Sequence, residues 1–549
     1  MRASQLLRRV IWTVILCGAM MVSAAQSKDR TAPPRLMPGL GEVHHPVSTK
    51  NREAQQFFDQ GLKLVYGFNH DEARRSFQRA AELDPKLAMA WWGVALTLGP
   101  NYNLPVDPER EKAGYDAAQR ALALQKNASD PERAYINALA VRYSKDVHAD
   151  LHALDVDYKN AMSKLAMRYP DDLDAATLYA ESAMNLNPWH LWTADGKPAG
   201  GTEEIVWVLE SVLKRDPNHL GANHYYIHAV EASPQPERAL PSAARLEKLA
   251  PAAGHLVHMP AHIFARVGDH PAAAHCNELA VAADKKFLAA THEQGVYPLM
   301  YYSHNLHFLA FAASMEGNFA EAKDAAARLV GNVSPGVKAM PMLEGFLPTP
   351  IVVLFAFERW DDLLKLPVPD SSFLITNAVW HSLRGVAFAN TGKMAEAEKE
   401  QGAFRDLAAK IPPDTMYDML NKTGAVFKVH ERLLAGMIAR SRHDDKGAID
   451  SLTQAVSAED ALNYSEPPPW YPPVRPMLGR VLVEAKQFPE AEKAFRADLD
   501  RNPRDGRALS GLRDCLKAQD RQYEADQIDR QFRSVWKFAT AEAATNPRR

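Results

Sequence analysis

The segment GHLVHMPAHIF at 254–264 sets His255, His258 and His262 three and four residues apart. On a helix those spacings bring all three imidazoles to one face. Two other stretches repeat the pattern. His224 and His228 are four apart, and His304 and His307 are three apart. Eleven of the twenty histidines fall between residues 219 and 307. Packed helices lie roughly 8–10 Å apart, so imidazoles from two of them can meet at one ion placed roughly 2.0–2.1 Å from each nitrogen. Glu231 follows His228 by about one helical turn. A carboxylate there can ligate, orient a histidine or act as a base. Without nearby thiols, such a set suits a transition metal (Zn, Cu, Ni or Fe) over Ca or Mg. The same residues also fit a polar or pH-sensitive groove for a peptide or small anion, or structural hydrogen bonding.

The elements that must carry these side chains follow a period. The stretch 57–85, FFDQGLKLVYGFNHDEARRSFQRAAELDP, carries Phe57, Gly61, Leu64, Ala73, Phe77, Ala80 and Pro85. Small residues let two helices approach, large ones fill the gap, and proline is expected to start the next helix. Pro217 and Pro251 are 34 apart and bracket one such unit, with Ala239 and Ala243 in its second helix. Later units show Gly254, Ala261, Phe264, Ala273 and Ala280, then Ala310, Phe319 and Ala322, then Gly385, Phe388 and Ala397, and finally Gly479, Ala491, Phe495 and Pro503. The tracts 113–145 and 151–183 are Ala-rich and fit more loosely. Little alternates with period two, so strands should be rare. The expected fold class is all-α, a solenoid of helical hairpins.

With this pattern the chain resembles the tetratricopeptide repeat (TPR) family over nearly its whole mature length. The resemblance implies hairpins stacked into a right-handed superhelix and a role in binding proteins or peptides. HMPAHIF, NLHFLAF and EPPPWYPPVRPMLG also resemble a group of exported bacterial TPR proteins, and the first two distantly resemble the eukaryotic tetratricopeptide repeat protein 38. With Ala239, Ala273 and Ala322 as repeat position 20, His224 and His228 take positions 5 and 9. His255, His258 and His262 take 2, 5 and 9, and His304 and His307 take 2 and 5. The resemblance makes these the ligand-facing positions of a concave surface, so a histidine-lined groove is expected. Trp92 shares that register, whereas Trp91 is expected in the core. Tyr225 and Tyr302 flank the histidine faces as further binding candidates. His219 and His270 fall outside the register and are expected at the surface.

The ends and the composition add bounds. Arg2, Arg8 and Arg9 precede an apolar run from Val10 to about Val22, closed by Ser23, Ala24 and Ala25. This is the layout of a secretory signal peptide. No later segment is apolar enough to span a bilayer. Losing three arginines takes the formal charge from −3 to about −6, which argues against nucleic acid as the main partner. Cys276 and Cys515 lie far apart, with no local support for a disulfide. The expected organisation is 1–25 signal peptide, 26–50 lead segment, 51–218 repeats with inserts, 219–330 histidine-rich repeats, and 331–549 further repeats with a capping helix. Inserts rich in Pro, Gly and aromatics at 99–112, 186–202, 331–350 and 459–473 interrupt the period. Inserts of this kind often shape a binding site. No nucleophile elbow, H-E-x-x-H or P-loop motif is present. An enzymatic role would therefore rest on the histidines, with Glu231 or Glu293 as base. The sequence reads first as an exported scaffold binding a protein or peptide in the groove, and alternatively as a transition-metal-binding protein using the groove histidines.

Overall fold

A computed structural model of the chain describes residues 33–536. The segment read as a signal peptide, and the start of the lead segment, lie outside the described residues. Helices account for the regular structure, and the described residues hold isolated bridges but no strand. No helix among them is long and apolar enough to cross a membrane. The all-α reading holds, and consecutive helices pair along the chain as hairpins.

Hairpin packing follows from small and large residues set at fixed intervals. Phe77 lies between Gly61 and Gly93, sixteen residues away on either side. A Cβ on Gly61 would stand 2.6 Å from the Phe77 ring, and one on Gly93 2.4 Å. Phe495 is held in the same way by Gly479 and Gly511, at 2.5 and 2.2 Å. One motif thus recurs near both ends of the chain, and alanine at any of these glycines would collide with the ring.

Prolines act one turn earlier than expected. Pro85, Pro170, Pro217, Pro251 and Pro503 each sit three residues ahead of a helix, at Ala88, Leu173, Leu220, Gly254 and Gly506. Their effect falls on the residue before them. Asp84, Tyr169, Asp216, Ala250 and Asn502 each end a helix with φ between −120° and −137°. A following proline disfavours the helical region at its predecessor, so these prolines end one helix and do not begin the next.

The chain forms two compact units. The first holds the described residues up to Ile263 together with Leu279–Pro298, and the second holds Phe264–Glu278 together with the described residues from Leu299 on. This division passes through the stretch 219–330. In the first unit, hairpins include Arg52–Tyr66 with His70–Leu83, Leu151–Arg168 with Leu173–Met184, and Thr202–Arg215 with Leu220–Val230. In the second, Tyr302–Glu316 pairs with Phe319–Val333, and the series runs to Gly506–Lys517 with Gln522–Val535. The Pro-rich insert at 459–473 is anchored inside this second unit. Trp470 packs on Phe355 and edge-on to His430, and Tyr471 packs on Phe311. Cys276 and Cys515 are buried and form no disulfide.

Candidate functional site

The site is built on three pieces of the first unit. Helix Leu220–Val230 is buried on every side along its whole length, as befits a central helix with no polar stripe. Its start is fixed by close packing, because a Cβ on Gly221 would stand 2.4 Å from the Tyr66 ring. His224 and His228 project from it, and Glu231 follows its last turn. The second piece is Gly254–His258 with the start of helix Pro260–Arg266, as far as Ile263. The sequence pattern implies one continuous helix here. Instead Pro260, which lacks an N–H, interrupts it, and the amide of His262 bonds the carbonyl of Met259 at 3.2 Å, a tighter turn. The third piece is the turn Gly67–Phe68. Phe68 takes φ 54°, a conformation uncommon outside glycine, and its ring lies on His224, His228 and His255 at centroid distances of 4.6, 5.9 and 5.5 Å.

Five histidines meet. Ring centroids are 5.0 Å apart for His224 and His228, 4.9 Å for His224 and His255, 4.7 Å for His258 and His262, and 5.7 Å for His228 and His262. All five are at most 2% exposed. The expectation of an open groove is therefore corrected, because these imidazoles line an interior. A peptide-recognition surface gains no support from them. The helical wheel placed them on a shared face correctly, but a wheel cannot say which chain segments cover that face. Here Phe68 covers it, with Tyr102 and Trp189 at 5.0 and 5.7 Å from the His228 ring. Tyr102 comes from the insert 99–112 and Trp189 from the insert 186–202. Trp192 ties the second insert down by donating its indole N–H to the Ala229 carbonyl at 2.8 Å.

Hydrogen bonds fix which nitrogen three of the rings present. His224 Nδ1 lies 2.6 Å from the Tyr66 carbonyl, which can only accept. His228 Nδ1 donates to Glu231 Oε1 at 2.8 Å, and His262 Nδ1 donates to Glu231 Oε2. Burial works to raise the Glu231 carboxyl, but the fields and hydrogen bonds of His262 and His228 outweigh it and hold it at about 2, ionised. Burial, reinforced by the field of His228, pushes His224 well below its ordinary value; burial also lowers His228. A neutral ring protonated at Nδ1 keeps a lone pair on Nε2. The Nε2 of His228 is buried and has no hydrogen-bond partner. The Nε2 atoms of His224 and His255 lie 3.2 Å apart, and those of His258 and His262 lie 2.8 Å apart. Two nitrogens bound to one ion at tetrahedral or right angles lie about 2.9–3.4 Å apart. Glu231 makes contacts of hydrogen-bond length to ring N–H groups, which is the arrangement of an orienting carboxylate behind ligand histidines.

The other candidates are placed as follows. Tyr225 is buried, with its ring 5.7 Å from Phe68 and 6.0 Å from Tyr66, so it supports the wall. Trp92 is a core residue against Phe58 and Tyr135. Trp91, expected in the core, is the half-buried member of the pair and carries Arg120 over its ring at 4.5 Å. His304, His307 and Tyr302 belong to the second unit, on Tyr302–Glu316, and are half-buried. There His307 meets Phe346 at 5.4 Å. His270, expected at the surface, is buried in the second unit, and burial lowers it to about 4. His219 caps its helix by accepting from the Ala222 amide through Nδ1.

A second cluster in the first unit, His45 with Asp172 and Asp174, is already satisfied. Asp174 accepts from Tyr66 and from His45 Nδ1 at 2.8 Å, with His219 Nε2 at 3.3 Å. Asp172 accepts from the Tyr135 hydroxyl at 2.8 Å and from the Ala175 amide at 3.0 Å. These acceptors hold chain segments together.

No protein-family model and no curated protein sequence matches the chain. Among solved structures it is similar to a human IFIT1 dimer with m7Gppp-AAAA, at 13% identity and a TM-score of 0.33, over 89% of this chain and 91% of that one. It is also similar to the APC/C hetero-tetramer Cut9-Hcn1, at 14% identity and a TM-score of 0.31, over 84% of this chain and 76% of that one.

Proposed function

We propose that this chain is an exported helical-repeat scaffold that encloses a transition metal, with His224, His228, His255, His258 and His262 as ligands and Glu231 as the carboxylate that orients them. The observation that carries this reading is the Nε2 of His228. It is buried and unpartnered, its ring is locked by Glu231, and His228 offers a ring nitrogen within 4.8 Å of one on each of His224 and His255. A buried acceptor left unsatisfied costs about 1–3 kcal/mol. A bound cation removes that cost. Nitrogen-only ligation without thiolate favours Zn, Cu, Ni or Fe. Export rests on the first 25 residues, and N-terminal sequencing of the mature protein should begin shortly after Ala25.

Elemental analysis of the full mature protein, purified from its own compartment without chelator, tests the central point. A transition metal at one or more per chain is expected, and a His228→Ala variant should lose metal. A native chain that holds none, and that takes up neither added Zn nor added Cu, would sink the proposal.

A further inference from the structure

Five imidazoles exceed what one tetrahedral centre takes. They also separate into two groups. His224, His228 and His255 offer ligand nitrogens that all lie within 4.8 Å of one another. His258 and His262 fall outside that set and form their own close pair, Nε2 to Nε2 at 2.8 Å. Two nitrogens on one ion lie at most about 4.2 Å apart. An ion held by the trio therefore does not reach all five.

We infer that the cluster is a two-metal centre. It has one position at His224, His228 and His255, and a second at His258 and His262. The inference rests on the metal-binding reading above and deepens it. Glu231 couples the two positions, since one carboxylate oxygen accepts from His228 in the first group and the other from His262 in the second. Fixing both rings through one side chain sets their relative angle. A carboxylate standing behind both ligand sets also places one negative charge beside two cations, which lowers their mutual repulsion. Within the first unit the second position has two histidine donors and the first has three. Three histidines at the first position resemble the protein share of a catalytic-type centre with one open site.

The full chain, stripped of metal and dialysed against Zn, should bind two ions per chain by elemental analysis. The His224→Ala/His255→Ala and His258→Ala/His262→Ala variants should each bind one. One ion in the wild type overturns the two-metal inference and leaves the metal-binding reading standing. None overturns both. Since either double variant can fail to fold, the wild type is also titrated with Cu(II) and followed by electron paramagnetic resonance. A signal that grows to one equivalent and then falls toward the second, as neighbouring spins couple, is expected. A signal that grows to two equivalents with no coupling overturns the inference.

Discussion

The side chain on which most depends is Glu231. It is 1% exposed and ionised, and it bonds two imidazoles at once. Glu231→Gln replaces one accepting oxygen with a donating NH2. Whichever ring faces that group must accept through Nδ1, so its proton moves to Nε2 and its ligand lone pair is lost. Metal affinity should fall about 10–100-fold, read by competition with a chromophoric chelator; an unchanged affinity would remove Glu231 from the site. Gly254 makes a second test. A Cβ there would stand 2.0 Å from Asp284 Oδ1, which itself accepts from the Tyr297 hydroxyl at 2.8 Å. Gly254→Ala should destabilise the first unit by about 1–3 kcal/mol in denaturant unfolding, and weaken metal uptake by shifting His255. Much at this scale was legible in the sequence. Spacing alone named all five histidines and Glu231, because they lie on two short stretches of local helix. Phe68, the Tyr66 carbonyl, Tyr102 and Trp189 were not legible as partners of these histidines. They arrive from segments far away in the chain, and no local period encodes who covers a face.

Among the elements, the lead segment shows how a loop is held by charge. His45 binds Asp174 in helix Leu173–Met184. Burial alone would lower His45, but the hydrogen bond and field of Asp174, with Asp172 and Asp59, outweigh it and raise it above 6.5. Burial likewise opposes the ionised form of Asp174, yet hydrogen bonds from His219 and His45 depress it below 3.8. His45 therefore contributes stability that is full below pH 6.5 and lost as pH rises through its raised value. Asp174 contributes above pH 3.8 and loses it as pH falls. The wild-type unfolding midpoint should drop as pH goes from 6 to 9, and His45→Gln should flatten that slope; an equal slope in both would refute the assignment. Helices and hairpins were readable from Gly61, Phe77 and Phe495, since one close-packing rule repeats. The helix break at Pro260 was hidden by a histidine pattern that runs straight across it, and the two compact units were hidden because the repeat continues through their division.

For the whole molecule, a solenoid of near-identical hairpins would need no ion to fold, because each repeat is stabilised by its neighbours. The first unit departs from that by placing five imidazoles where apolar packing would otherwise go. Zn at 100 times its dissociation constant should add about 2.7 kcal/mol for each site it fills, seen as a higher melting temperature in the wild type and a smaller rise in His228→Ala. Burial of the cluster has a further consequence, for timing. With Phe68, Tyr102 and Trp189 packed over rings that water barely touches, an enclosed ion exchanges only as fast as the shell breathes open. Uptake during refolding should then be fast and uptake by the folded chain slow. Occupancy would be a record of the compartment in which the chain folded, retained long after the surrounding metal supply has changed.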